Sequence, residues 1–257
     1  MKFFSVEVDK HIAIVTLDRA PINALVKQCY VELKQVFEEI GQIKDARVAI
    51  LKSEGPYFCP GNDVKEFTNF ATSEEAMEYS QIVNEGLISV YNCEIPVIAA
   101  VHGHAFGAGM AIAACSDVII AADTAEFAIP EIKVGVIGAA GFLSLIVPEK
   151  VVRYMSLSGE PLSAQKIEQY GGIHKVVPVD NVFNSSLEVA NILLKRGPTA
   201  LRYFKQAMNI NQQAQLEEQC AVERSFARRY IGSEEANESV NAFIQKRSAD
   251  YSNSESK

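Results

Sequence analysis

The chain has no apolar run long enough to cross a bilayer. Its longest, Ile95–Val101 and Val118–Ala122, fall far short of the roughly 20 residues a spanning helix needs. The opening MKFFSVEVDKH lacks an extended apolar segment, so it does not read as a secretory signal, and a cytoplasmic location is expected. There is no CxxC pair. Five cysteines (Cys29, Cys59, Cys93, Cys115, Cys220), odd in number and widely scattered, argue against a disulfide framework and a structural zinc site. Positive charge is scarce: 24 Lys and Arg stand against 32 Asp and Glu, a net −8 that opposes general binding to nucleic acid or anionic membranes. An anionic ligand would need a local basic patch. Several catalytic signatures are also missing. No GxxxxGK[ST] occurs, nor a GxSxG elbow, and the G-x-G at Gly107 meets Ile112 where a dinucleotide fingerprint needs Gly or Ala.

What is present is an ordinary globular composition, 48% hydrophobic and 22% charged over 257 residues, enough for one large domain or a domain with an appendage. Phe3–Val8 and Ile12–Leu17 alternate apolar and polar residues around a short turn and predict a hairpin. Apolar residues at helical spacing predict a helix over Val26–Ile43. A short strand at Val48–Lys52 leads into the breaker-rich SEGPYFCPGND. Ser73–Tyr91 reads as a helix with Ser73 as its cap and Glu74 and Glu75 in its first turn.

Ile95–Val101 is expected to be a strand with Pro96 at its edge, followed by GHAFGAG and a helix from about Ala108 to Cys115. Further strands are expected at Asp117–Ala121, Glu126–Ile129 and Lys175–Val177, with helices between. This alternation predicts an α/β architecture with largely parallel strands. After Gly197 the pattern becomes helical only, with expected helices at Pro198–Asn211, Gln213–Ile231 and Glu234–Ala249 and a disordered SNSESK tail. The expected division is therefore a core over 1–196 and a helical region over 197–257 that packs on a neighbour or a partner subunit.

Two glycine-bearing turns carry the first chemical signal. Gly103, Gly107 and Gly109 follow a strand and open a helix, which leaves N–H groups near Ala108 free at a partly positive helix end. Such glycines also serve tight packing of a helix on a sheet. The turn Pro60-Gly61-Asn62-Asp63 reads either as a surface turn or as a second donor of a backbone N–H. Together the two turns have the makings of an oxyanion hole, in which each donor is worth roughly 10²–10³ in rate.

Glu131, in FAIPEIKVG, follows Phe127, Ala128 and Ile129. It is either a solvated loop glutamate or a carboxylate whose pKa apolar neighbours raise toward neutrality. His102 and His104 form an H-x-H pair with no nearby group to complete a metal set, so no metal is expected. Cys59 has no recognisable partner base. Lys65, Lys246 and Arg247 are either solvated cations or contacts to phosphate.

DRAPINAL (Asp18–Leu25), YFCPGNDVKEF (Tyr57–Phe67), PVIAAVHGHAFGAGMAIAACSDVIIA, FAIPEIKVGVIGAAG, SGEPLSAQKIEQYGGIHKVVP and NAFIQKR follow one another along the chain. In that order and spacing they resemble the enoyl-CoA hydratase/isomerase (crotonase) superfamily over essentially the whole sequence. The resemblance implies a spiral of ββα turns with a C-terminal helical region that supports homotrimers, commonly paired into hexamers. It implies an acyl-CoA thioester substrate and no separate cofactor, since coenzyme A belongs to the substrate.

By motif position the implied oxyanion donors are the N–H groups of Asn62 and Ala108. Ile22, Ala24, Gly61, Asp63, Val64, Lys65, Gly107 and Pro130 fall at implied substrate-contact positions. Phe243 and Lys246 match last-helix residues that reach CoA on a neighbouring subunit. Phe106, Met110, Ile137 and Phe142 are candidates for the acyl pocket.

One departure bears on the reaction. Hydratases of the family carry two glutamates, one on the small-residue helix and one twenty residues later; here the first position is Ala111 and the second Glu131. Hydration needs one group for water and another for the C2 proton. Moving a double bond from β,γ to α,β needs only one base, and monofunctional enoyl-CoA isomerases of the family show this pattern. The expectation is thus Δ3,Δ2-enoyl-CoA isomerisation with Glu131 as proton shuttle. The alternatives are a hydratase or other thioester enzyme that recruits Asp63, Glu66 or Glu85, and a CoA-binding protein without catalysis.

Overall fold

The structure, a computed structural model, describes residues 1–69, 73–230 and 232–251. The chain enters through β1 (Phe4–Asp9) and β2 (Ile12–Leu17), paired antiparallel from Phe4–Leu17 to Asp9–Ile12 around a two-residue turn. Lys10 and His11 both take positive φ there, the twist a tight hairpin requires. Helix α1 (Lys27–Ile40) buries its apolar stripe of Tyr30, Leu33, Val36, Phe37 and Ile40. It stops at Gly41, short of the expected Ile43.

Strand β3 (Val48–Ser53) pairs parallel with β2, and α2 (Ser73–Tyr91) follows with Ser73 as its first residue. The capping contact expected of the Ser73 side chain lies outside the described residues. Strand β4 (Val97–Val101) lies parallel to β3, and Pro96 precedes it with its carbonyl still in use, accepting from Ala49 N–H at 2.8 Å.

Next come β5 (His104–Phe106), α3 (Ala108–Ala114), β6 (Val118–Ala122) and β7 (Glu126–Ala128). Two short helices, α4 (Ala140–Leu143) and α5 (Glu149–Ser158), precede β8 (Leu162–Ser163), α6 (Ala164–Gln169) and β9 (Lys175–Val177). The larger sheet runs β1-β2-β3-β4-β6-β9 and the smaller β5-β7-β8. From β4 to β7 successive strands go alternately to the large and the small sheet, as in a spiral. Strands β4 and β6 in the middle of the large sheet are continuously apolar because both their faces are covered.

The C-terminal region departs from the expectation in two ways. Beyond α7 (Val182–Leu194), the two helices expected after Gly197 are one, α8 (Pro198–Tyr230), because no Pro or Gly interrupts the stretch. This helix is anchored on the core. Lys205, only 3% exposed, donates to Asp117 Oδ2 at 2.7 Å and to the Ile95 carbonyl at 3.2 Å, while Arg202 pairs with Glu94 at 2.6 Å. Helix α9 (Glu234–Ile244) begins on a Ser233 cap and ends five residues before the expected Ala249. Lys246 turns left-handed there, and Arg247 N–H bonds back to the Ala242 carbonyl. Among the described residues no helix is long and apolar enough to cross a membrane.

Candidate active site

Loops and helices from along the chain converge on a cavity of about 290 Å³, and the two glycine-bearing turns build part of its wall. Leu25 pairs with Asn62 in an isolated parallel bridge: Leu25 N–H donates to the Gly61 carbonyl (2.8 Å) and Asp63 N–H to the Leu25 carbonyl (2.7 Å). That pattern uses the peptide groups on either side of Asn62 and turns Asn62's own N–H to the opposite edge, where the residue lines the cavity. A second bridge, Cys59 with Ala105, ties this turn to β5, just ahead of α3. The two turns touch so closely that a Cβ on Gly109 would collide with the Cys59 carbonyl, and one on Gly61 would stand 3.8 Å from Ala108 N. Neither the Asn62 nor the Ala108 N–H has a hydrogen-bond partner among the described residues. Two adjacent peptide donors beside a cavity, one at a helix N-terminus, are suited to hold a developing oxyanion.

The Asn62 side chain is fixed from behind. Tyr30 and Tyr79 hydroxyls both donate to its Oδ1, at 2.6 and 3.1 Å. Tyr30 is fully buried, so this clamp holds the peptide from a rigid wall.

Glu131 reaches the same cavity from the short 3-10 turn Pro130–Val134. Its carboxylate sits directly over Gly107, where any Cβ would overlap Oε1. Gly107 also takes φ 53° and ψ −119°, a conformation that glycine adopts without strain, while its N–H is spent on the Ala128 carbonyl at 2.8 Å. Although the Glu131 residue is partly exposed, its carboxylate is closed off, and Oε2 is buried with no hydrogen-bond partner among the described residues. Burial pushes its pKa up to about 8; a hydrogen bond from its own N–H opposes the rise, and the nearby Glu223 charge adds to it.

The other sequence candidates are placed as follows. Ile137 and Phe142 line the cavity; Phe106 and Met110 do not, and Met110 is fully buried in α3. Gly61, Asp63 and Val64 flank Asn62, with Asp63 paired to Arg19 at 3.2 Å and accepting from the Lys65 N–H at 3.3 Å. Ile22 and Ala24 lie on the loop before Leu25, the Ala24 carbonyl accepting from Arg19 at 2.5 Å. Phe243 and Lys246 are exposed at the end of α9, away from the cavity of this chain. Arg247 is taken up by Glu238.

His102 contacts the Gly55 carbonyl, and the His104 ring stacks between Tyr57 and Phe106, so both rings serve local packing. Cys59 is buried, its thiol pushed up to about 12, which makes it a poor nucleophile.

None of the three proposed substitute acids reaches the cavity. Asp63 serves Arg19, Glu66 accepts from Lys27 N–H at 3.1 Å, and Glu85 pairs with Lys34 at 2.9 Å. Ala111 is fully buried and offers no acid. The second carboxylate of the cavity is instead Glu223 on α8, which sequence reasoning missed. Both its oxygens are engaged, accepting from Gly141 N–H at 2.6 Å and Ala140 N–H at 3.1 Å. Burial raises its pKa against those two bonds and the nearby Arg224 charge. The only sequence signal was the spacing of Cys220, Glu223, Arg224 and Ala227, one face of a helix.

Known proteins agree with this architecture. The chain is 30% identical over 235 residues to a (7aS)-7a-methyl-1,5-dioxo-2,3,5,6,7,7a-hexahydro-1H-indene-carboxyl-CoA hydrolase of Mycobacterium tuberculosis, covering 91% of this chain and 95% of that one. It is 30% identical over 246 residues to a 2,3-dehydroadipyl-CoA hydratase of Escherichia coli, covering 94% and 95%. Among solved structures, an enoyl-CoA hydratase/isomerase from Pseudoalteromonas atlantica superposes with a TM-score of 0.86 at 25% identity, over 96% of this chain and 98% of the other. The family model described as enoyl-CoA hydratase/isomerase matches residues 7–254, and the chain, with its spiral of strands and paired backbone donors, belongs to that family.

Proposed function

We propose that this acyl-CoA-transforming enzyme moves a β,γ double bond of an enoyl-CoA thioester into conjugation. The thioester oxygen accepts from the Asn62 and Ala108 N–H groups. Ionised Glu131 removes a C2 proton, the electron pair delocalises into a dienolate held at that oxygen, and Glu131 returns the proton to C4. No proton is gained or lost overall. The observation that carries the reading is the Glu131 carboxylate, closed off above Gly107 beside Ala108 with one oxygen unpartnered and its pKa near 8. A 3-enoyl-CoA added to the enzyme should develop the absorbance of a conjugated thioester. Absence of that signal across several chain lengths would remove the reading.

A second reading, hydration or hydrolysis, draws on the two named relatives and on Glu223, a carboxylate in the same cavity. Glu223 is anchored by the Ala140 and Gly141 N–H groups, which fix its carboxylate at the wall and leave only its remaining lone pairs for a water, and this ranks the reading second. Loss of conjugated absorbance from a 2-enoyl-CoA in water, faster than gain from the 3-enoyl isomer, would reverse the order.

We also propose that the chain works as a homotrimer or a pair of trimers. Large apolar side chains stand out from α8 and α5, among them Phe204 at 70% and Leu157 at 76% exposure, and Tyr203 and Met208 extend the α8 patch. Light scattering should give three or six times the chain mass, and Phe204→Glu should shift it toward the monomer. A monomeric wild type would contradict the assembly.

A further inference from the structure

Arg224 is the cavity residue that the double-bond chemistry leaves unused. It lies on the inward stripe of α8 beside Glu223, and its Nη1 is closed off from solvent without a hydrogen-bond partner among the described residues. Leaving a donor of a charged group buried and unmet is destabilising, and a guanidinium cannot escape the cost by losing its proton. Glu223 beside it is turned to the N–H groups of Ala140 and Gly141 and makes no hydrogen bond to this Nη1, although the two charges lie near one another.

The wall around Arg224 is mixed. Asn84 from α2 and Asn237 from α9 line the cavity with it, among apolar Val83, Phe142 and Val240. A plain hydrocarbon chain would satisfy the apolar part and leave the guanidinium unmet. An oxygen on the acyl group would satisfy both.

We propose that Arg224 binds an oxygen carried by the acyl group itself, so that the substrate is an acyl-CoA bearing a carboxylate or a ketone beyond its reacting carbons. The inference rests on the reading that the thioester lies at Asn62 and Ala108, and it names what the rest of that cavity holds. Carboxylate and ketone offer the same acceptor to a planar donor; the carboxylate adds charge and a bidentate geometry.

Saturated thioesters test this without turnover. Calorimetry of the wild-type protein with hexanoyl-CoA, adipoyl-CoA and 5-oxohexanoyl-CoA should show at least one oxygenated ligand bound about tenfold or more tighter than hexanoyl-CoA. Preference for adipoyl-CoA alone identifies a carboxylate; preference for both identifies a carbonyl acceptor in general. In Arg224→Met and Arg224→Gln, checked for folding by circular dichroism, the preference should fall to within about threefold. Hexanoyl-CoA binding as tightly as the others in wild type, or a preference that survives both substitutions, would overturn the proposal. The isomerase reading fails separately. A preference without conversion of any 3-enoyl-CoA sinks that reading and leaves Arg224 standing; conversion of 3-hexenoyl-CoA without a preference does the reverse.

Discussion

Glu131→Gln should lower isomerisation by about 10²–10⁴-fold, the usual contribution of a positioned acid–base group, while thioester binding stays within about tenfold. Glutamine keeps the shape of the side chain over Gly107 but cannot exchange a proton. The wild-type rate should also rise with pH toward a plateau above about 8, because the group that removes the C2 proton must be ionised and its pKa is raised to about 8. Stability should move the other way. The folded-state pKa lies above the ordinary 4.5, so the folded protein holds this proton more tightly than the unfolded chain. The resulting stabilisation is complete below pH 4.5 and is lost as pH rises to about 8, with a slope of up to about 1.4 kcal/mol per pH unit. Glu131→Gln removes that slope. Denaturant unfolding of both proteins at pH 5 and pH 8 measures it, and full activity in Glu131→Gln or a rate flat from pH 6 to 9 would refute the assignment.

The second large effect is expected at Gly107. Gly107→Ala places a methyl group where Glu131 Oε1 now lies and forces alanine into φ 53°, ψ −119°. The carboxylate must move, and the Ala108 N–H beside it turns with the strained peptide. Misplacement of a catalytic group by about 1 Å can cost on the order of 10²-fold, and the backbone strain adds about 1–3 kcal/mol of destabilisation. Gly171→Ala is the control for strain alone. Gly171 also has a positive φ, 83°, but no atom lies within 4 Å of where its Cβ would be, so activity should persist with only a modest fall in melting temperature. Equal activity in the two variants would mean that the glycine at 107 does not make room for the Glu131 carboxylate.

Much of the site was legible before any coordinates. The two turns announced themselves because sharp backbone reversals need glycine, and the chemistry of a lone carboxylate after an apolar strand is a local matter. Asp63, Glu66 and Glu85 show where this ran out. Each is an acid in a promising neighbourhood, yet each is turned toward a cation or an N–H outside the cavity, and sequence spacing carries no information about that choice. Likewise the expected break near residue 212 had no breaker behind it, and α8 continues through.

The sequence by itself singled out most of the strands and helices, the two glycine-bearing turns and Glu131 as the candidate base. These follow from side-chain periodicity, from glycine's backbone freedom and from groups adjacent in the chain. Only the tertiary structure decided that the C-terminal helices close the cavity and that Glu223 and Arg224 enter it. Helix α8 is polar around much of its circumference, so its pattern does not say which face turns inward. That face is chosen by contacts distant in sequence: the Lys205 anchor on Asp117, and the Ala140 and Gly141 N–H groups that Glu223 satisfies.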